Sequence, residues 1–240
     1  MRKLFLGAAA AIALAAPGVA AANGYVGLDY NNVDADGIGS EDSFGVSGSV
    51  VLTPNFALDA AVAENDDDTA WGATGHLFTN NSSYLFGGFL GFTGNDDTTS
   101  WGGGVEGQYY MNNVTWAGAV SYGTNDDSDV DAWGINGEGR YFVSENFRLE
   151  AGLGWFSVDG GGGADDDAIS LGVGGEYQFS AAPISVGLGY TNTQFDEADL
   201  DIDTFQATVR YNFGGGSLMD RDRSGGGLAG LSGVGAALGL

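Results

Sequence analysis

Acidic residues in this chain come in bursts. Twenty-three of its 32 Asp and Glu fall in six short segments, 34–42, 64–68, 96–97, 126–131, 159–167 and 196–203. Alternating with them are five segments, Thr53-Pro54-Asn55, 80–83, Met111-Asn112-Asn113, Ser144-Glu145-Asn146 and 180–183, which hold a single acid, Glu145. Each burst is separated from the next neutral segment by about ten residues that alternate apolar with small or polar. Successive side chains of a strand point to opposite faces, so each stretch reads as a strand with one apolar face. A chain that steps between a charged side and a neutral side, one strand per step, is held to an up-and-down antiparallel sheet whose two ends meet different surroundings.

Glycine interrupts every apolar run after the first, and 44 of the 240 residues are Gly. No later segment could cross a bilayer as a helix, which takes about 20 apolar residues. Yet 43% of the chain is hydrophobic, too much for a disordered acidic chain. Those side chains must be buried or face lipid with a strand period. Residues 1–22 are predicted to be a secretory signal: Arg2 and Lys3 begin it, 4–16 are apolar, and Val19-Ala20-Ala21-Ala22 offers small residues for cleavage. An N-terminal anchor is the alternative, disfavoured by the short apolar run. Cleavage would leave five cations, Arg140, Arg148, Arg210, Arg221 and Arg223, against 32 acids, a net charge of −27. Such a chain is a poor match for nucleic acid, whose binding rests on neutralising phosphates. Without Cys there is no disulfide framework or thiolate metal site.

The fold class expected is all-β: a transmembrane antiparallel up-and-down β-barrel of about 12 strands, with short periplasmic turns and acidic extracellular loops. Strands are predicted near 24–33, 43–52, 55–63, 69–79, 84–93, 99–110, 114–123, 132–143, 147–158, 168–179, 184–194 and 204–213. The last shows the alternation best. Phe205, Ala207, Val209, Tyr211 and Phe213 share one face, and Thr204, Gln206, Thr208, Arg210 and Asn212 share the other. Even strand number would put both mature termini in the periplasm. Trp71, Trp101 and Trp133 follow acidic bursts, while Tyr109, Tyr141, Tyr177, Tyr211 and Phe213 lie near the neutral turns. These aromatics are predicted to form two interfacial belts. From Trp101 to Tyr109 the rise is roughly 20 Å at a tilt near 40°, against an apolar band of about 25 Å. A soluble sandwich with core aromatics would explain neither the leader nor the one-sided charge.

On these residues the chain resembles Gram-negative outer-membrane β-barrels of the small porin-like kind over 23–213. Its final strand, Thr204 to Phe213, is similar to the terminal assembly signal of that class, an alternating strand closed by Phe. Here 27 residues follow it. The tail beginning Gly214-Gly215-Gly216-Ser217-Leu218-Met219-Asp220-Arg221-Asp222-Arg223 resembles tails on porin-like proteins of alphaproteobacterial type. The expected division is signal 1–22, barrel 23–213 and a Gly-rich flexible periplasmic tail 214–240, with a lumen plug or an envelope contact as alternatives for the tail. The resemblance implies a bacterial outer-membrane location, contact with outer-membrane lipid and lipopolysaccharide, and no cofactor.

Lumen-facing positions are predicted to include Asp29, Asp59, Glu106, Glu138, Glu150 and Glu176, with Arg140, Arg148, Arg210 and His76. Glu106, Glu138 and Glu176 could form a charged ring that filters ions, or could brace the wall through salt bridges. Most other inward positions are small, among them Gly102, Gly104, Ala117, Ser121, Gly152 and Gly172. Twelve strands give a backbone radius of roughly 12 Å, so small inward residues should leave water-filled space. Acidic segments such as Asp66-Asp67-Asp68 and Asp165-Asp166-Asp167 offer carboxylate oxygens to divalent cations. None has EF-hand spacing, since Ile38 breaks the start made by Asp34 and Asp36. A solvated, mutually repelling surface is the expectation. His76 is the single His, which leaves little for barrel hydrolase chemistry; no enzyme activity and no metal centre are expected. The function expected is a passive diffusion channel for small solutes or ions with a mild cation preference; a non-conducting structural or surface-interaction (adhesin-like) barrel is the alternative. Solute and oligomeric state are not encoded in any pattern found.

Overall fold

The computed structural model describes residues 23–65, 68–95, 98–125, 130–160, 164–226 and 228. Residues 1–22, 66–67, 96–97, 126–129 and 161–163, and nearly all of the chain after 226, lie outside the described residues.

Twelve strands close a barrel: β1 (Asn23–Ala35), β2 (Gly39–Thr53), β3 (Phe56–Glu64), β4 (Thr69–Asn80), β5 (Tyr84–Gly94), β6 (Thr99–Met111), β7 (Val114–Asn125), β8 (Val130–Ser144), β9 (Phe147–Gly160), β10 (Ala164–Gln178), β11 (Ile184–Phe195) and β12 (Leu200–Phe213). Every strand pairs antiparallel with its sequence neighbours, and β1 pairs with β12 from Gly24↔Phe213 to Ala35↔Ile202. Closure leaves no unpaired sheet edge, which is what a strand structure needs where water cannot satisfy the backbone.

The period of two carries through the whole wall. Outward positions hold a band of exposed large apolar residues, such as Leu28, Leu77, Leu90, Val105, Ile135, Leu171 and Leu188. Exposed apolar surface on this scale marks a lipid or protein contact rather than a water-facing surface. All five Trp point outward, from 37% exposed at Trp71 to 56% at Trp116. Trp71, Trp101 and Trp133 stand at the acidic end, and Tyr109, Tyr141, Tyr177, Tyr211 and Phe213 at the neutral-turn end, all on the outer face.

The acidic segments differ from expectation. Segments 34–42, 159–167 and 196–203 are strand for much of their described length rather than loop, and the connection in 34–42 is only Asp36-Gly37-Ile38. Carboxylates of the acidic segments accept hydrogen bonds from outward side chains on the same or the paired strand. Tyr30 Oη and Asn32 Nδ2 each donate to Asp42 at 2.8 Å, Tyr190 Oη donates to Asp203 at 2.6 Å, and Tyr122 Oη to Asp131 at 2.9 Å. Such pairs extend the ladder past the apolar band.

Neutral turns are fastened by asparagine. Asn112 takes a left-handed φ of +46°, which Asn tolerates better than most residues. Asn55 Nδ2 donates to the Phe78 carbonyl at 2.9 Å, and Asn113 Nδ2 donates to that of Phe142 at 3.1 Å. Each turn also accepts a backbone N–H from the next even-numbered strand, at Phe78, Tyr110, Phe142, Gln178 and Asn212. Those five inward residues form a rim around the mouth, with aromatics on one side and amides on the other.

The tail does not hang free. Gly214, Gly215 and Gly216 hold φ of +87°, +79° and +85°, a left-handed run that only glycine adopts cheaply. They turn the chain from β12 back into the barrel. Ser217 then caps a short helix, α1 (Leu218–Arg221), and a wide turn continues over Asp222–Gly226. Hydrogen bonds and an ion pair to the lumen wall are made from within 214–226.

Candidate functional site: the lumen and its inner mouth

Nine acids lie outside the six bursts. Glu145 sits in a turn, Asp220 and Asp222 are in the tail, and the other six are Asp29, Asp59, Glu106, Glu138, Glu150 and Glu176. Barrel register puts all six on the inner face: Asp29 lies across from Thr208, Asp59 from Thr74, Glu138 from Ala117 and Glu150 from Arg140. Arg140, Arg148, Arg210 and His76 face inward as well. A charge on the outer face at mid-strand would sit in hydrocarbon at a cost of about 2–4 kcal/mol. The sequence places every such charge on the other parity.

The predicted residues gather into two groups. His76, fully buried, lies 2.8 Å from Glu106 Oε1 through Nδ1 and 3.2 Å from Asp59 Oδ2 through Nε2. Gly87, directly across from Glu106 on β5, carries no side chain, and a Cβ there would fall 2.5 Å from the Leu77 carbonyl oxygen. The second group joins β8, β9, β10 and β12. Arg140 Nε meets Glu138 Oε1 at 2.7 Å, and Arg148 Nε meets Glu150 Oε2 at 2.8 Å. Glu176 Oε2 takes Arg210 Nη1 at 2.9 Å and Arg148 Nη2 at 3.3 Å, while Glu176 Oε1 accepts from Ser185 Oγ at 2.6 Å. The Arg210 guanidinium also stacks 4.5 Å from the Tyr25 ring centroid. Glu106, Glu138 and Glu176 do not share one height. Counted from the rim residue of each strand, Glu106 and Glu138 stand four residues in and Glu176 two. All three are engaged by cations or His76, so the geometry is that of bracing.

Residues of the tail also belong to this site, and no motif in the sequence marks which wall residues they meet. The Asp222 side chain is fully buried, with Oδ1 at 2.6 Å from Arg140 Nη1 and 3.6 Å from Arg148 Nη1. Arg221 Nη2 donates to Gln178 Oε1, and Gln178 Nε2 donates to the Gly216 carbonyl at 3.2 Å. Leu218 N donates to Asn146 Oδ1 at 3.2 Å, Asn80 Nδ2 to the Arg223 carbonyl at 2.7 Å, and Arg223 Nη2 to the Asn112 carbonyl at 2.5 Å. Thus Asn146 gives its side chain to the tail where Asn55 and Asn113 give theirs to the rim. Within the tail, the Ser217 N–H and hydroxyl hold the Asp220 carboxyl below the usual carboxylate range.

Sequence reasoning missed the large apolar residues of the inner wall. Ala57, Phe78, Leu85 and Tyr110 form a buried cluster with Val51 and Leu228 packed against it. Beyond the tail, toward the acidic end, the lumen holds two spaces. One, of about 420 Å³, is bordered by Asn136, Glu138, Arg140, Phe156, Gln206 and Leu228. The other, of about 460 Å³, is bordered by Asp29, Asp59, Thr74, Arg210, Gln206 and Leu228. The small inward residues, such as Gly152, Gly172 and Ala117, lie at the first. Among the described residues no group of three or more His, Cys, Asp or Glu is placed to hold a metal ion.

Charge is therefore sorted along the axis. All five arginines of the chain after residue 22 lie at the neutral-turn end of the lumen, and most acids lie at the other end.

No protein-family model matches this sequence, and no curated protein matches it. Solved structures do resemble it in fold. The NanC porin superposes with a TM-score of 0.62 at 10% identity, over 77% of this chain and 98% of that one. The KdgM porin in complex with disordered oligogalacturonate gives 0.58 at 11% identity, over 78% and 99%. An outer membrane channel from Pseudomonas putida F1 gives 0.55 at 13%, over 82% and 97%. At these identities the likeness shows the fold: a closed antiparallel β-barrel of the kind these channels share.

Proposed function

We propose that this protein is an outer-membrane, porin-like diffusion channel for small solutes or ions, with both ends of the mature chain in the periplasm and a mild preference for cations. One observation carries the reading: an apolar outer band encloses a lumen whose open spaces are lined mainly by small and polar residues. An apolar belt serves a barrel in lipid, and a polar bore serves passage of water-borne solutes. The fold likeness to the NanC and KdgM porins supports it. The solute class of the KdgM complex, an anionic oligosaccharide, fits poorly here, because the acid-rich end would repel it. Lipopolysaccharide and outer-membrane lipid are the surroundings this reading gives the barrel, and divalent cations would join them only as counterions to the acidic end. Glu106, Glu138, Glu176, Arg140, Arg148, Arg210 and His76 brace the bore, and the acidic end supplies the ion preference.

A second reading, a non-conducting structural or surface-interaction barrel, draws support from the tail seated in the inner mouth. Current through planar bilayers separates the two. Discrete steps from the folded protein, or from a variant with the tail unseated, fit the channel; a folded barrel silent in both forms contradicts it. Orientation has its own test. Because native Cys is absent, a cysteine placed at Asp166 should react with an impermeant thiol reagent on intact cells, and one at Asn112 only after the outer membrane is opened. The reverse pattern would invert the proposed topology.

A further inference from the structure

The inner mouth offers a seat of two characters, and residues 217–226 with Leu228 match both. On one side stand Phe78, Leu85 and Tyr110, against which Leu228 packs. Gly225, at φ +99°, lies so close to Phe78 that a Cβ there would fall 2.5 Å from the ring. On the other side stand Arg140, Arg148 and Gln178, which take Asp222 and Arg221. Other contacts run to the turns at Asn112 and Asn146, to Asn80 on β4, and to β1 and β2. Between them the segment touches the wall most of the way round.

Size agrees. A backbone diameter of roughly 24 Å loses about 5 Å on each side to inward side chains, leaving a bore near 14 Å. A helix with its side chains is about 10–12 Å across. One helical turn and the wide turn that follows therefore fill the opening.

Charge bookkeeping shows whether the segment is a brace or a movable part. On the wall, Glu138, Glu150 and Glu176 match Arg140, Arg148 and Arg210 one for one. The tail arrives with Arg221 and Asp222, itself balanced. If the segment left, no wall charge would lose its only partner: Arg140 keeps Glu138, and Arg148 keeps Glu150 and Glu176. A brace would leave the wall incomplete on removal; this segment does not. Its tether, Gly214 to Gly216, has the backbone freedom of a hinge. The open spaces of the lumen lie on its acidic-end side and reach up to Leu228.

From these observations we infer that residues 217–226 with Leu228 are a plug that the chain carries for its own pore, with Asp222 as the lock between Arg140 and Arg148, and that the pore passes solute when the segment leaves its seat. This rests on the channel reading above. The test is current through planar bilayers in symmetric KCl, at equal amounts of folded barrel judged by heat-modifiable gel mobility. In the full chain, Asp222→Arg places a cation between two arginines and should raise the mean current several-fold, whereas Asp222→Glu should leave it low. A chain ending at Phe213, with all twelve strands and the β1–β12 seam intact, should match or exceed Asp222→Arg, and decides the matter if that variant fails to fold. Equal currents from the full chain and the variants would overturn the plug while leaving the channel standing. Silence from every folded form would overturn the channel reading and the plug together.

Discussion

His76 shows how much one residue can hold in this wall. It carries no exposed surface and stands between Glu106, 2% exposed, and Asp59. Without the imidazole, Glu106 Oε1 would lose its contact at 2.8 Å. Breaking a buried charged pair by removing one member costs about 3–5 kcal/mol. His76→Ala should therefore lower the urea midpoint of the refolded barrel clearly more than Asp42→Asn, which removes a carboxylate exposed to solvent. Similar midpoints would mean that the cluster adds nothing to the fold. Sequence parity alone put His76, Asp59 and Glu106 on the inner face, because strand alternation fixes direction. Their meeting was hidden, since it needs the register of β3, β4 and β6 together and the empty position at Gly87.

At the scale of elements, the strands were legible and the tail was not. Every strand advertises itself through period-two alternation and the Asn-rich or acidic residues that bound it. One consequence is testable at mid-strand. Val105 faces outward on β6, and Asn136 faces the lumen space on β8. Val105→Arg should destabilise the barrel by about 2–4 kcal/mol, while Asn136→Arg should fold nearly as well as the parent, measured by heat-modifiable mobility against urea. Equal tolerance would shift the register by one. The tail's composition, rich in Gly, argues for flexibility, and the local signal against it in 217–226 is the short capping box of Ser217 and Asp220. Its order comes from partners far off in sequence: Arg140 is 82 residues from Asp222, and Asn80 is 143 from Arg223. The cap of α1 gives a further expectation. Asp220 has its carboxyl pKa lowered by Ser217, so its contribution is present above the usual aspartate value of about 3.9 and is lost as pH falls through its own lower one. Protease protection of the tail should weaken in that acid range, and Asp220→Asn should remove the pH dependence without opening the barrel.

For the whole molecule the governing feature is the axial sorting of charge: among the described residues most acids lie at one end, and all five arginines after residue 22 at the other. Of the inner carboxylates, Asp59, Glu106, Glu138, Glu150 and Glu176 are paired with those arginines or with His76, so these five contribute little net field. On the channel reading proposed above, the bursts at the far end would set the potential at that mouth. Triple replacement of Glu106, Glu138 and Glu176 by Gln should therefore leave ion preference nearly intact while lowering stability, and replacing the acids of 34–42 and 196–203 should reduce the preference. The most direct measurement of the central claim is the reversal potential of the Asp222→Arg protein in a planar bilayer under a KCl gradient. The account expects discrete steps favouring K⁺, more strongly near 0.01 M than near 1 M salt, because the Debye length falls from about 30 to about 3 Å. A folded barrel that passes no current, or one that prefers Cl⁻ at low salt, would contradict it.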